Sequence, residues 1–458
     1  MTTAGARPTY LTGQYAPVPD EIDAVDLPVE GTLPPELDGR YLRNGPNPLP
    51  GEDPGHWFLG HGMLHGVRLR GGRAEWYRNR WVRTRALAGL PHRTADGVDL
   101  SVVVANTHVI EHAGRLLALV EGGLPYEVDR DLGTVGPCDF DGRLHTAMTA
   151  HPKTDPDTGE LHFYGYSPVA PFLTYHRLSA AGELVVSRPV EVRGPTMMHD
   201  AAITAHHVVW LDLPMTFSWE RLAQGMPFGW DDSYGARIGI MRHDDPTATV
   251  QWFDVEPCYV FHVGTAHEDE QGRIVLDAAR YAAADAVAMW SGTDGAVSNH
   301  TALDRDRASR AAATGAARMH RWTLDPTSGS VTETPLAERP VEFPTLSDAL
   351  VGRDARYRYA VSAGTGRHAV VKLDVHTGET QAHELGAEVA AGEAVFVPAA
   401  DGTAEDDGWL LTITTRVDGS ASRLLVLDAG DVTRQVAAVT LPRGVPAGFH
   451  GSWVPAVS

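Results

Sequence analysis

The 458-residue chain has little cysteine, little positive charge and no long apolar run. Its two cysteines, Cys138 and Cys258, permit one disulfide at most and exclude a disulfide framework or a Cys-rich zinc module. We read them as reduced, buried thiols. Lys and Arg number 38 against 59 Asp and Glu, a formal net charge of −21. That balance argues against a nucleic-acid partner and against docking on anionic lipid by charge alone. No stretch approaches the ~18 apolar residues of a membrane span. The opening segment, MTTAGARPTYLTGQYAPVPDEID, lacks the apolar region of a secretory signal. The expectation is a soluble cytoplasmic protein. With 43% hydrophobic and 21% charged residues the chain is globular rather than disordered, and long enough for a large core.

Helical segments between strands are scarce too, which argues against parallel βαβ units. What the chain does have is punctuation: 47 Gly and 31 Pro separate short runs rich in Val, Leu, Thr and aromatics. Such runs read as many short strands with tight turns. Examples are Leu116–Val120, Leu161–Tyr166, Val208–Leu213, Arg273–Leu276, Tyr357–Ser362, Ala369–Asp374, Trp409–Thr415 and Leu424–Asp428. A strand, a polar Asp/Gly turn and a second strand recur from His151, Arg177, His267, Trp322 and Lys372. Many similar hairpins suggest radial repetition, an all-β propeller in one domain over residues 1–458. Seven blades would take about 65 residues each, above the usual 40–50, so long insertions must sit on one face. Pro214–Tyr234 and Ala282–Thr314 are the candidates.

Histidine is abundant, with 22 residues. Four stand in similar surroundings at strand ends: His151 in TAHPKTD, His199 in MMHDAAIT, His262 in CYVFHVGTAHED and His450 in GFHGSW. None pairs with another at helical spacing, so this is not an HExxH-type site. In a propeller, residues distant in sequence meet on the axis, and four blades could present imidazoles to one ion such as Fe, Zn, Cu or Ni. A ligating imidazole needs its other nitrogen held, usually by a carboxylate or carbonyl. Taken singly, each of these histidines is as readily a surface or core hydrogen-bonding residue.

Longer motifs add to this. YLRNGPNP at Tyr41–Pro48, HWFLGHGMLHGVRL at His56–Leu69, HPKTDPDTGELHFYGY, MMHDAAIT, YVFHVGTAHED and GFHGSW occur in that order. Together they resemble the carotenoid cleavage oxygenase family, from about Gly39 to Trp453. The resemblance implies a seven-bladed β-propeller with loops and short helices capping one face over an axial Fe(II), and an N-terminal extension of about 35 residues wrapping it. It implies His151, His199, His262 and His450 as metal ligands. Glu121, Glu342 and Glu393 fall where the family has glutamates that hydrogen-bond ligand imidazoles. Thr107 falls where many members place a threonine methyl near an open iron position, although packing in a strand is an equal reading. His61 departs from the pattern, since related motifs commonly read GDGM where this chain reads GHGM.

The family cleaves or isomerises conjugated alkenes, most members adding both atoms of O2 across one C=C bond to give two carbonyl products. Stilbene-cleaving relatives hold a phenol with a Lys and a Tyr. The Lys position is Val120 here, and the Tyr corresponds to Trp81. Both are apolar replacements, which favours an apolar polyene such as an apocarotenoid over a 4-hydroxystilbene. An aryl alkene lacking a free phenol stays open, as does a propeller that only binds an apolar ligand or a partner. The Phe217–Trp230 segment, rich in aromatics, is a candidate membrane-contact patch or a cover packed over the propeller top.

Overall fold

A computed structural model describes residues 8–95, 97–223, 225–293, 316–363 and 366–456. Seven antiparallel sheets are arranged as the blades of a β-propeller, and two further two-stranded hairpins stand outside them. The axial strands, taken in blade order, are Gly451–Pro455, His108–His112, Lys153–Thr154, Ala202–Ile203, Cys258–Glu268, Glu342–Thr345, and the broken pair Val389–Ala391 and Val395–Pro398. Both ends of the chain close the ring. Gly451–Pro455 pairs with Gly39–Pro46 in blade 1, with Tyr41 opposite Trp453. Asp23–Val25 edges the same blade, and Val29–Gly31 edges blade 7 beside Gln435–Thr440. The segment before Gly39 therefore bridges the seam between the last blade and the first.

The apolar runs are nearly continuous because both faces of a blade are buried, each against a neighbour. Strand residues alternate between faces, and here alternate residues enter different cores. Leu116 and Ala118 pack between blades 1 and 2, while Leu117 and Leu119 pack between blades 2 and 3. Leu410 and Leu425 face blade 6, whereas Leu411 and Leu424 face blade 1. Each of the seven blade interfaces has such a cluster. Fully burying one Leu or Val side chain is worth about 1.5–3 kcal/mol, so a slip of one residue would exchange the contents of two cores at once.

The expected strands are present. Leu161–Tyr166 and Tyr357–Ser362 have the bounds read from the sequence. The run at Arg273–Leu276 is longer than expected, a strand over Ile274–Ala282. The Asp/Gly hairpins are real turns. In blade 6 the Asp374 carboxylate accepts the His376 and Thr377 N–H groups, and Gly378, at φ 78°, donates to the Asp374 carbonyl. Asp325 with Gly329 and Asp155 with Gly159 repeat that backbone closure. The 214–234 insertion forms a small hairpin, Met215–Phe217 with Phe228–Trp230, around a one-turn helix at Trp219–Leu222 capped by Ser218. The second insertion begins with a helix at Ala283–Thr293; positions 294–314 lie outside the described residues. Among the described residues no helix is long and apolar enough to cross a membrane.

Candidate metal centre

Each blade sends one residue of the expected set to the axis. His450, His151 and His199 stand just before the axial strands of blades 1, 3 and 4, and His262 lies within that of blade 5. Glu342 opens the axial strand of blade 6, Glu393 fills the break in blade 7, and Glu121 follows Arg115–Leu119 in blade 2. Residues up to hundreds of positions apart thus meet because the ring closes.

The four imidazoles are packed face and edge. Ring centroids are 4.4 Å apart for His151–His199, 4.6 Å for His151–His450, 4.9 Å for His262–His450 and 5.2 Å for His199–His262. Three rings have their Nδ1 on a carboxylate: His199 on Glu121 at 2.5 Å, His262 on Glu342 at 2.5 Å and His450 on Glu393 at 2.9 Å. A carboxylate only accepts, so these Nδ1 atoms donate and leave Nε2 as the lone-pair nitrogen. The Nε2 atoms of His199 and His262 then face each other at 3.4 Å, and His151 Nε2 is buried without a hydrogen bond. Donor atoms of His151, His262 and His450 lie within 4.8 Å of one another. Converging, unsatisfied lone pairs in a buried place are costly unless a cation lies among them. The donor set therefore fits a divalent transition metal.

Electrostatics agree. Burial, with neighbouring imidazoles, pushes His151 and His262 well below the usual histidine range and keeps them neutral. Burial opposes charge on His199 as well, but Glu121, Asp200 and Glu342 outweigh it and raise that group. Burial raises the Glu342 carboxyl to about 7, against the Phe343 N–H and Tyr281 hydroxyl that favour its ionised form. Burial would raise Glu393 too, yet His450 and the Gly451 N–H hold it low.

Several residues at the site have no motif that singles them out. Tyr166 donates to Glu121 Oε2 at 2.5 Å, and the Tyr281 hydroxyl lies beside Glu342. Phe343 sits in the left-handed region at φ 52°, which costs a bulky residue on the order of 1–2 kcal/mol. That conformation lets its N–H reach Glu342 Oε2 at 2.5 Å and its ring stack on His262 at 4.6 Å. His108 bridges the Ala150 carbonyl and Ser452 Oγ, 5.0 Å from the His450 ring. Asn44, inside YLRNGPNP, donates to the Ala105 and His108 carbonyls while its own backbone pairs with Phe449 and His450. Asn44 inside YLRNGPNP and Tyr166 at the end of HPKTDPDTGELHFYGY were the available signals.

The family described as retinal pigment epithelial membrane protein matches residues 15–455. The carotenoid cleavage oxygenase of Mycobacterium tuberculosis (strain ATCC 25618 / H37Rv) is 38% identical over 99% of this chain and 100% of its own. The chain belongs to the carotenoid cleavage oxygenase family. Carotenoid 9,10(9',10')-cleavage dioxygenase 1 of Pisum sativum is 31% identical over 97% of this chain and 90% of its own. Among solved structures, cobalt-substituted Synechocystis apocarotenoid oxygenase superposes with a TM-score of 0.82 at 27% identity, covering 98% of each chain. The Pseudomonas brassicacearum lignostilbene dioxygenase gives 0.84 at 28%, covering 98% of this chain and 99% of its own. The relatives carry the names of oxygenases and dioxygenases, and this chain is an enzyme of their family.

In this oxygenase an aromatic belt leads away from the imidazoles. Phe261 lies 5.1 Å from His199, Trp290 stacks on Phe261 at 6.2 Å, and Phe58 joins Trp290 to Phe449, the residue before His450. Thr107 is beside the centre through its backbone: its carbonyl accepts the His450 N–H at 3.2 Å. Val120 precedes Glu121 and packs half-buried on the core between blades 1 and 2. Trp81 belongs to a different cluster, with Val18 and Met63, and its indole donates to the Asn47 carbonyl. His61 is half-buried with Nε2 3.5 Å from Glu52. In the Phe217–Trp230 segment, Phe228 and Trp230 pack on the core between blades 4 and 5, while Trp219 and Leu222 are exposed.

Proposed function

We propose that the protein is a non-haem Fe(II) dioxygenase that cleaves one C=C bond of an apolar conjugated alkene, of the carotenoid or apocarotenoid class, to two carbonyl products with O2. The observation that carries this reading is the convergence of four imidazoles, three of them held by carboxylates. His151, His199, His262 and His450 would ligate the iron; Glu121, Glu342 and Glu393 would orient three of those rings. Bound there, iron supplies binding and activation of O2 beside the alkene. Four neutral ligands leave the divalent charge uncompensated within the first shell, and the three glutamates balance it at one remove.

The chain's own contribution is to exclude water and place the double bond. Phe261, Trp290, Phe58 and Phe449 suit a flat, apolar polyene, which no hydrogen bond could orient. Val120, beside Glu121, adds an apolar wall where a lysine would hold a phenolate. Trp81 is a further apolar replacement, and Thr107 would stand near an open iron position. The single propeller domain with its N-terminal bridge fixes these groups together. Trp219 and Leu222 would touch a membrane surface from which such a substrate is drawn, and two buried, free cysteines suit a cytoplasmic protein.

The test is O2 uptake by the Fe(II)-reconstituted protein with an apocarotenal and with a 4-hydroxystilbene, products identified by mass. Aldehydes from the apocarotenal alone are expected. Turnover of the stilbene alone would overturn the assignment of Val120 and Trp81 and favour an aryl-alkene oxygenase. Stoichiometric iron with no O2 consumption across a broad alkene panel would favour a binding propeller.

A further inference from the structure

We propose that Asp200 and Lys153 form a positioning pair that holds the backbones of three of the four metal-binding histidines in register and thereby sets the affinity of the centre for its metal. This rests on the metal-centre reading of the four histidines.

The starting point is an asymmetry among the imidazoles. His199, His262 and His450 each give Nδ1 to a glutamate. Among the described residues, no carboxylate is hydrogen-bonded to the His151 ring. Its nearest carboxylate oxygen, Glu121 Oε1, is 3.7 Å from Nε2 and already lies 2.5 Å from His199 Nδ1. The position of His151 therefore depends on its main chain.

That main chain is held by charge. Lys153 Nζ donates to the His151 carbonyl at 3.3 Å and to Asp200 Oδ1 at 2.6 Å. Asp200 directly follows His199 and is 2% exposed. Its Oδ1 also accepts the Ala201 N–H at 2.7 Å, and its Oδ2 accepts the Val263 N–H at 2.8 Å. Val263 directly follows His262. One buried carboxylate thus touches the chain beside His199, the chain beside His262 and, through one ammonium, the chain at His151. Blades 3, 4 and 5 are tied together at the height of the ligands. The fourth ligand, His450, is tied separately through Asn44 and Glu393.

The donor count makes this pair hard to replace. Asp200 accepts on both oxygens, from an ammonium and an amide on one side and an amide on the other. An asparagine has the same shape but only one accepting oxygen. Its NH2 group would meet either the Lys153 ammonium or the Val263 N–H, donor against donor. Asp200→Asn therefore breaks at least one of the links without leaving a cavity. Lys153→Met removes the ammonium and frees His151 from Asp200; the lysine side chain is 21% exposed, so this variant is the safer one for folding.

The experiment strips the full-length chain of metal and titrates it with Co(II). Affinity is read by chelator competition, ligand geometry by the visible d–d spectrum, and stability by melting of the metal-free protein. For Asp200→Asn we expect Co(II) binding about 10- to 100-fold weaker, the range typical of lost outer partners of metal ligands, with an altered spectrum. Lys153→Met should shift the same way by less, and carries the test alone if Asp200→Asn does not fold. Affinities within twofold of wild type with an unchanged spectrum would overturn the proposal. So would loss of melting temperature in the metal-free variants without any loss of affinity, because that is what a merely structural pair would give. If the wild-type chain itself took up no Co(II), the metal-centre reading would fall and this proposal with it.

Discussion

At the rim of blade 6, Asp374 closes a turn with His376, Thr377 and Gly378, all within five residues of chain. At the axial end of the same blade, Glu342 holds His262, 80 positions away in sequence. The rim turn is satisfied by its own neighbours and recurs with other Asp/Gly pairs. The axial contacts exist only once the ring has closed. The rim is therefore a matter of local chemistry, and the axis of global geometry. Substitutions at the two ends should fail differently.

The largest effect is expected at the axis. His199→Ala removes a proposed ligand and the partner of Glu121 together, and should abolish iron retention and O2-dependent cleavage while the propeller still forms; metal analysis, product assay and circular dichroism check the three parts. Retention of iron with full activity would erase the distinction between rim and axis. Glu342→Gln keeps the size and one accepting oxygen for His262. It should weaken metal binding about 10- to 100-fold with only a small loss of stability, measured by chelator competition and melting.

An intermediate case lies between the blades. His162 is buried beside Tyr175 and His243, and burial, then the neighbouring His243 and Arg177, hold it down at about 3 against 6.5 when free. The unfolded chain takes up the proton first. The contribution of His162 to stability is therefore intact above about pH 6.5 and lost as pH falls from there toward 3. In the metal-free protein, His162→Gln should flatten the fall in unfolding free energy between pH 7 and 4 by about one proton, read from denaturant midpoints. An unchanged slope would mean that His162 is not held neutral. The smallest effect is expected at the rim. Gly378→Ala forces a Cβ onto φ 78° with no close contact, and should cost about 1 kcal/mol while leaving metal affinity and turnover untouched.

The same contrast explains what could be read from the sequence. Strands such as Leu161–Tyr166 and turns such as Asp374–Gly378 were legible because alternation and turn chemistry are local. The four histidines and three glutamates could be chosen from among many only through long motifs in order. Tyr166, Tyr281, His108 and Asp200 could not be singled out, because each acts on a residue that another blade delivers. Phe343 was hidden for a different reason: nothing in EFP announces a left-handed backbone. Trp81, chosen by correspondence to a phenol-binding tyrosine, packs with Val18 under the N-terminal bridge rather than in the aromatic belt.

The most direct test of the account is anaerobic titration of the metal-free chain with Fe(II), read by X-ray absorption for the number and kind of ligands. One iron per chain with imidazole nitrogens from four histidines is the expected result. An ion bound through carboxylates, or no bound iron at all, would contradict it.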